Sequence, residues 1–314
     1  MRKAPLLART LCFVPLAVLA ACSGQTSAAS GADGGSTNPN DLQASVGPID
    51  VPAGVETTVC IVEPLGNTQD VVVDGIDVNL APGSHHLIVY LTSAEVQSDP
   101  VNCTPFAGIA AGTDTPLVLA NKEHANFTFP QGVAQEIPAN AHVKVEAHYI
   151  NATSSDIQGH GTVTFHTTPK ASAPPYQPAS FLFWGTTNID IPPGASVSTG
   201  PIFQVGPGGT HFLSVTTHEH RLGTRAQVWE SKQAGDLGTQ IADDKDWSNP
   251  SWRLLSPTFD FDGTNGLTYQ CDWTNTTTQT VSFGESALDE MCFVGGYYYP
   301  GTSLDLRIDG HKVR

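Results

Sequence analysis

Two histidine pairs, one further histidine and a single methionine are the residues most able to do chemistry together. His85 and His86 are adjacent, His218 and His220 are separated by one residue, and His148 lies in the run HVKVEAHYI. Beyond the initiator, Met291 is the one methionine of the chain. Imidazole nitrogens bind borderline metal ions, and a thioether beside them favours copper, Cu(I) in particular, over zinc. Residues two apart on a strand share a face and lie about 6.6–6.8 Å apart, so His218 and His220 can converge on one ion. Adjacent His85 and His86 point to opposite faces of a regular strand; joint ligation needs a twist or a bulge there. Methionine is usually a gap-filler in cores, but a chain with one such residue does not depend on it for that. His124, His160 and His311 have no partner at ligand spacing and read as surface residues, and His142 and His166 as surface or packing residues.

The elements that must position these residues are strands. With 30 glycines and 23 prolines in 314 residues, the chain leaves little room for long helices. Short apolar runs alternate with turn signals from about residue 48, among them Val71 to Leu80, His86 to Leu91, Val143 to Ile150 and Gly161 to Phe165. This spacing predicts antiparallel sandwiches. In the run around His148, Val143, Val145, Ala147 and Tyr149 form one face and His142, Lys144, Glu146 and His148 the other. The first face reads as core and the second as facing solvent or a cleft. The proline-rich stretch from Thr167 to Ser180 reads as a linker or edge segment. The reading is all-β: two antiparallel, jelly-roll-like β-sandwich domains side by side, over residues 48–170 and 171–314, each carrying one copper site.

Residues 1–21 read as an export signal: Arg2 and Lys3, then an apolar run from Leu11 to Ala21 too short to span a bilayer. Leu19-Ala20-Ala21-Cys22 resembles a bacterial lipobox, which makes Cys22 the expected lipidated residue. Residues 22–47, rich in Ser, Gly and Ala, read as a flexible tether. The expected location is outside the cell interior, on a bacterial membrane through the lipid alone and, with Ser23 next to the lipid site, on the outer membrane. Without Arg2, Lys3 and Arg9 the formal charge moves from −16 to −19. Such an acidic chain is a poor partner for nucleic acid. Apart from Cys12 and Cys22, four cysteines remain (Cys60, Cys103, Cys271 and Cys292), an even number that predicts two disulfides with three pairings open.

Taken in order, HH at His85-His86, EAHYIN around His148, THEH at His218-His220, DEMC around Met291 and then YYYP resemble the copper type II, ascorbate-dependent monooxygenases, the peptidylglycine- and dopamine-hydroxylating enzymes. The similarity runs over about residues 50–305. It implies two copper ions per chain across an open, solvent-filled cleft. One would be held by His85, His86 and His148 and pass an electron. The other, held by His218, His220 and Met291, would be the catalytic one that meets O₂ and a substrate C–H bond. It also implies the pairings Cys60–Cys103 and Cys271–Cys292, and ascorbate or another one-electron reductant as co-substrate. The substrate would be a small molecule or a peptide. Glu146 resembles the dopamine-hydroxylating branch. Thr216, where the peptide-hydroxylating enzymes carry an arginine, and Phe293 and Gly295 depart from the peptide branch, so its carboxylate clamp is not carried over. A non-catalytic copper carrier on the same fold is the alternative function.

Overall fold

The computed structural model describes residues 38–313 apart from 107, 110 and 111. The signal, Cys22 and most of the expected tether lie outside the described residues. Residues 38–314 cluster as one compact unit. No helix among the described residues is long and apolar enough to cross a membrane.

The first half is a sandwich of two sheets. One orders its strands as Leu42–Val51, Ile157–Pro169, Val71–Leu80, Val133–Ile137 and Gln177–Pro178, with His124–Thr128 also on Val71–Leu80. The other runs Gln97–Asn102, Glu56–Pro64, His142–Ile150, Ser84–Thr92 and Thr115–Ala120. The fold therefore begins at Leu42, inside the stretch expected to be tether. There Ala44 and Val46 point inward, alternating with exposed neighbours, and pair with the Ile157–Pro169 strand. Small residues in a Ser- and Gly-rich context hide this alternation from a composition reading.

The second half also has two principal sheets. The outer one runs Ser196–Ser198, Gly266–Thr274, Gly223–Ser231 and Thr239–Asp244, with Ile202–Val205 also on Gly266–Thr274. The inner one runs Trp252–Phe261, Thr210–His218, Cys292–Tyr299, Ser180–Thr186, Asp305–Ile308 and His311–Lys312. All seven residues of Ser180–Thr186 are buried. Successive side chains of a strand point to opposite faces, and here both faces are covered. Phe181 and Phe183 join the core of the first half, whereas Leu182 and Trp184 join the core of the second. Cys292–Tyr299 divides likewise, Phe293 and Tyr297 to one side and Cys292, Val294 and Tyr298 to the other. The inner sheet thus packs directly against the first sandwich.

Both disulfides have the expected pairing, Cys60–Cys103 and Cys271–Cys292. The second ties Gly266–Thr274 to Cys292–Tyr299, joining the two sheets of the second half one residue from Met291.

Candidate metal centre

His86 and His148 sit opposite each other on paired central strands, Ser84–Thr92 and His142–Ile150. The register of that pair shifts between Ser84 and His86. This is the irregularity that adjacent histidines require if both are to face one place, and the rings of His85 and His86 do, with centroids 5.2 Å apart. His85 and His148 are also 5.2 Å apart, and His86 and His148 5.0 Å. The face carrying Glu146 and His148 is not open to solvent: both residues are 0% exposed. The inner sheet of the second half covers it.

His218 and His220 converge as well, 5.2 Å apart, but not as two positions on one strand face. The strand Thr210–His218 ends at His218, and His220 lies beyond it. The carboxylate of Glu290 holds this corner, accepting the backbone N–H groups of His220 at 3.0 Å and Leu222 at 2.7 Å and the indole N–H of Trp273 at 2.9 Å. His220 Nδ1 donates to the carbonyl of Asp289 at 3.1 Å, which leaves Nε2 as its free nitrogen. Met291 follows Glu290 directly and is buried among Phe183, Phe293 and their neighbours.

The open cleft that the family resemblance implied is absent among the described residues. His85 lies 5.4 Å from His218 and 5.5 Å from His220, and His86 lies 5.6 Å from His218. Five imidazoles from two halves therefore form one cluster. Ring nitrogens of His85, His86 and His218 all lie within 4.8 Å of one another, a group that draws on both expected ligand sets. The physical reason is the inner sheet, whose apolar face buries against the first sandwich and brings the end of Thr210–His218 onto the Ser84–Thr92 and His142–Ile150 strands.

The donor set fits a metal ion. Buried ring nitrogens without a hydrogen-bond partner are His85 Nε2, His86 Nδ1 and Nε2, His148 Nδ1, His218 Nε2 and His220 Nε2. Leaving such groups unpaired in a core is costly, and an ion taken up by them removes that cost. Four of these histidines are also held neutral, as ligation requires. Burial, reinforced by the neighbouring histidines, pushes His85, His86 and His218 well below the usual imidazole range. Burial likewise brings His220 to about 4.

Carboxylates outside the expected ligand sets support the cluster. Glu56 Oε1 accepts from His148 Nε2 at 2.8 Å, fixing the tautomer that leaves Nδ1 free. The same oxygen accepts the N–H of Ala287 at 2.7 Å, so Glu56 links His148 to the loop leading into Met291. The His148 hydrogen bond, partly opposed by burial, lowers its pKa to about 2. Glu146 Oε2 accepts from the Tyr90 hydroxyl and Oε1 from the N–H of Phe106, each at 3.0 Å. Phe106 has φ 56°, a left-handed conformation that a bulky residue adopts only when held there. So held, its ring lies 5.0 Å from His86 and 5.7 Å from His218. Glu290 had a signal in the sequence, its place beside Met291. Glu56 had none, standing 92 residues from His148.

Residues 202–309 match the family model of the copper type II ascorbate-dependent monooxygenase C-terminal domain. The matched stretch holds His218, His220, Met291, Cys271 and Cys292, and it supports membership of the copper type II, ascorbate-dependent monooxygenase family for this chain. No curated protein matches the chain. Solved structures that resemble it include a chain of the Sulfolobus turreted icosahedral virus, at 11% identity and TM-score 0.21, covering 80% of this chain and 58% of that one. Another is a chain from an archaeal virus with a triple jelly roll fold and turret assembly, at 10% identity and TM-score 0.20, covering 83% and 60%. These likenesses are too slight to bear on fold or function, and the present chain spans well under two thirds of either viral chain.

Proposed function

We propose that this chain is a copper-dependent monooxygenase that hydroxylates a C–H bond of an organic substrate with O₂ and an external one-electron reductant. The observation that carries this reading is the cluster of five buried histidines with unpartnered nitrogens, inside a chain whose second half matches the family. Copper held there would supply one-electron redox chemistry toward O₂. One oxygen atom enters the substrate C–H bond and the other leaves as water, so two electrons and two protons come from the reductant, ascorbate or another donor. His85, His86, His148, His218, His220 and Met291 are the ligands in this reading, for two ions per chain. Glu56 orients His148, Glu146 holds Phe106 beside His86 and His218, and Glu290 fixes the corner that carries His220 and Met291.

Met291→Ile keeps the apolar volume and removes the sulfur. The variant should fold and still take up copper through its histidines, while reductant-driven O₂ consumption is lost or falls severely. If the variant consumes O₂ as the wild type does, or if the reduced wild type never reacts with O₂, a copper carrier is the better description. With Thr216 buried at the position of the missing clamp, peptides ending in glycine should not be hydroxylated.

The lipobox motif supports export and anchoring through Cys22, with the outer membrane as destination. Cys22→Ala should move the protein from membrane to soluble fractions, and a native N-terminus at another residue, found by mass spectrometry, would refute the anchor.

A further inference from the structure

A cavity of about 230 Å³ opens beside Met291. Its walls are Phe106, Phe183, Phe283, Phe293, Met291 and Ile308, with smaller contributions from their neighbours. Phe106 belongs both to this wall and to the surroundings of the histidine cluster, its ring 5.0 Å from His86 and 5.7 Å from His218, so the cavity shares a side with the proposed copper site. The phenylalanines are ordered as a panel: Phe183 stacks on Phe293 at 4.6 Å and 9°, and on Phe106 at 5.8 Å and 12°.

The polar inventory is small. Thr187 has its hydroxyl donated to Asp309 at 2.5 Å. Glu285 is the one ionisable side chain of the wall, and no Lys, Arg or His lines the cavity among the described residues. A ligand carboxylate would meet a second carboxyl and no cation. A ligand ammonium would exchange its hydration for phenylalanine faces, whose attraction for a cation returns only part of what is lost, and burial and Glu146 push the pKa of its one candidate partner, Glu285, up. On the other side of the cluster, His85 borders a polar cavity that also takes in Asn121, Lys122, Glu123 and Trp247. The two cavities that border the histidine cluster thus differ in kind, one lined by polar and charged side chains, one aromatic.

Resting on the monooxygenase reading above, we infer that the aromatic-walled cavity is the substrate site and that its occupant is a compact, uncharged, largely apolar compound. An apolar cavity of about 150 Å³ admits benzene. The present volume of about 230 Å³ accordingly suits two fused rings, or one ring with a short chain.

Three probes with the same ring system and different charge test this: indole, tryptamine and indole-3-acetate, titrated calorimetrically into copper-free and copper-loaded protein. Indole should bind saturably, one per chain, in both forms, and each charged relative should bind at least about tenfold more weakly. Ile308→Trp fills the cavity from a half-buried position and should abolish indole binding while copper content stays as in the wild type. Val313→Asp, at an exposed residue of the rim, should weaken indole several-fold without disturbing the fold. Absence of saturable indole binding overturns the inference, as does equal or tighter binding of tryptamine or indole-3-acetate. So does undiminished indole binding by an Ile308→Trp protein with wild-type copper content and unfolding midpoint. The binding measurements involve no O₂ chemistry. A wild type that binds indole in this pattern but never consumes O₂ therefore counts against the monooxygenase reading and not against the assignment of the cavity's ligand.

Discussion

The two halves of the molecule bring histidines to the same place by different means. In the first half His86 and His148 are cross-strand partners in the middle of a sheet, and the bulge before His86 turns His85 toward them. Backbone pairing on both sides does most of the positioning, and Glu56 adds one hydrogen bond to His148. In the second half the strand stops at His218, and His220 and Met291 lie on connecting segments. Here a single carboxylate, that of Glu290, replaces the missing ladder by accepting three N–H groups. Positioning by a sheet is distributed over many bonds, whereas positioning by one buried side chain is concentrated. Substitutions should therefore be far more damaging at the second kind of support than at the first.

The largest effect is expected at Glu290. Glu290→Gln preserves volume but turns an amide N–H₂ toward buried N–H donors. Leaving a buried donor unsatisfied costs about 1–3 kcal/mol, more for charged groups, and we expect copper-free Glu290→Gln to lose about 3 kcal/mol in urea denaturation. A loss under about 0.5 kcal/mol would show that the corner is held by something else. Next comes Glu56→Gln, which keeps a hydrogen bond to His148 but removes the charge. Loss of a partner of this kind lowers metal affinity by about 10–100-fold, and we expect the lower end of that range with an unchanged unfolding midpoint. An affinity equal to that of wild type, measured by competition with a chelator, would remove Glu56 from the account.

The smallest effect belongs to a histidine outside the cluster. His166, on the strand Ile157–Pro169, contacts Asp41 at 3.0 Å and Asp77 at 2.9 Å. Burial lowers its pKa, but the hydrogen bonds to the two carboxylates outweigh burial and the net shift is upward. A raised imidazole pKa stabilises the fold fully below the unfolded value of about 6.5, and that contribution fades as pH rises through the folded value. The side chain is 39% exposed, so solvent screens the interaction to a few tenths of a kcal/mol. His166→Gln should thus be slightly less stable than wild type at pH 5.5 and indistinguishable from it at pH 8. A larger deficit at pH 8 than at pH 5.5 would reverse the sign.

Much of this was legible in the sequence. The strand Val71–Leu80 and the all-β class follow from period-two runs between turn residues, and the need for a bulge follows from two adjacent histidines asked to face one way. The disulfide pairings came from the family resemblance. The union of the five histidines was not legible. It depends on which half covers each face of the inner sheet, and a strand such as Ser180–Thr186, buried at every position, has no polar side to reveal this. Glu56 escaped notice for a related reason, because only tertiary contact brings it to His148. The onset of the fold at Leu42 was masked by small residues that are buried without being strongly apolar.

The claim that both halves build one metal centre is tested most directly by a double-mutant cycle on copper affinity. The set is wild type, His85→Ala, His218→Ala and the double variant, each titrated against a competing chelator. Their rings are 5.4 Å apart, and changes at well-separated, independent sites add to within about 0.3–0.5 kcal/mol. A departure from additivity of at least about 1 kcal/mol is expected, because each histidine serves an ion environment that the other shares. Losses that add within the error of independent sites would contradict it and restore two separate copper sites.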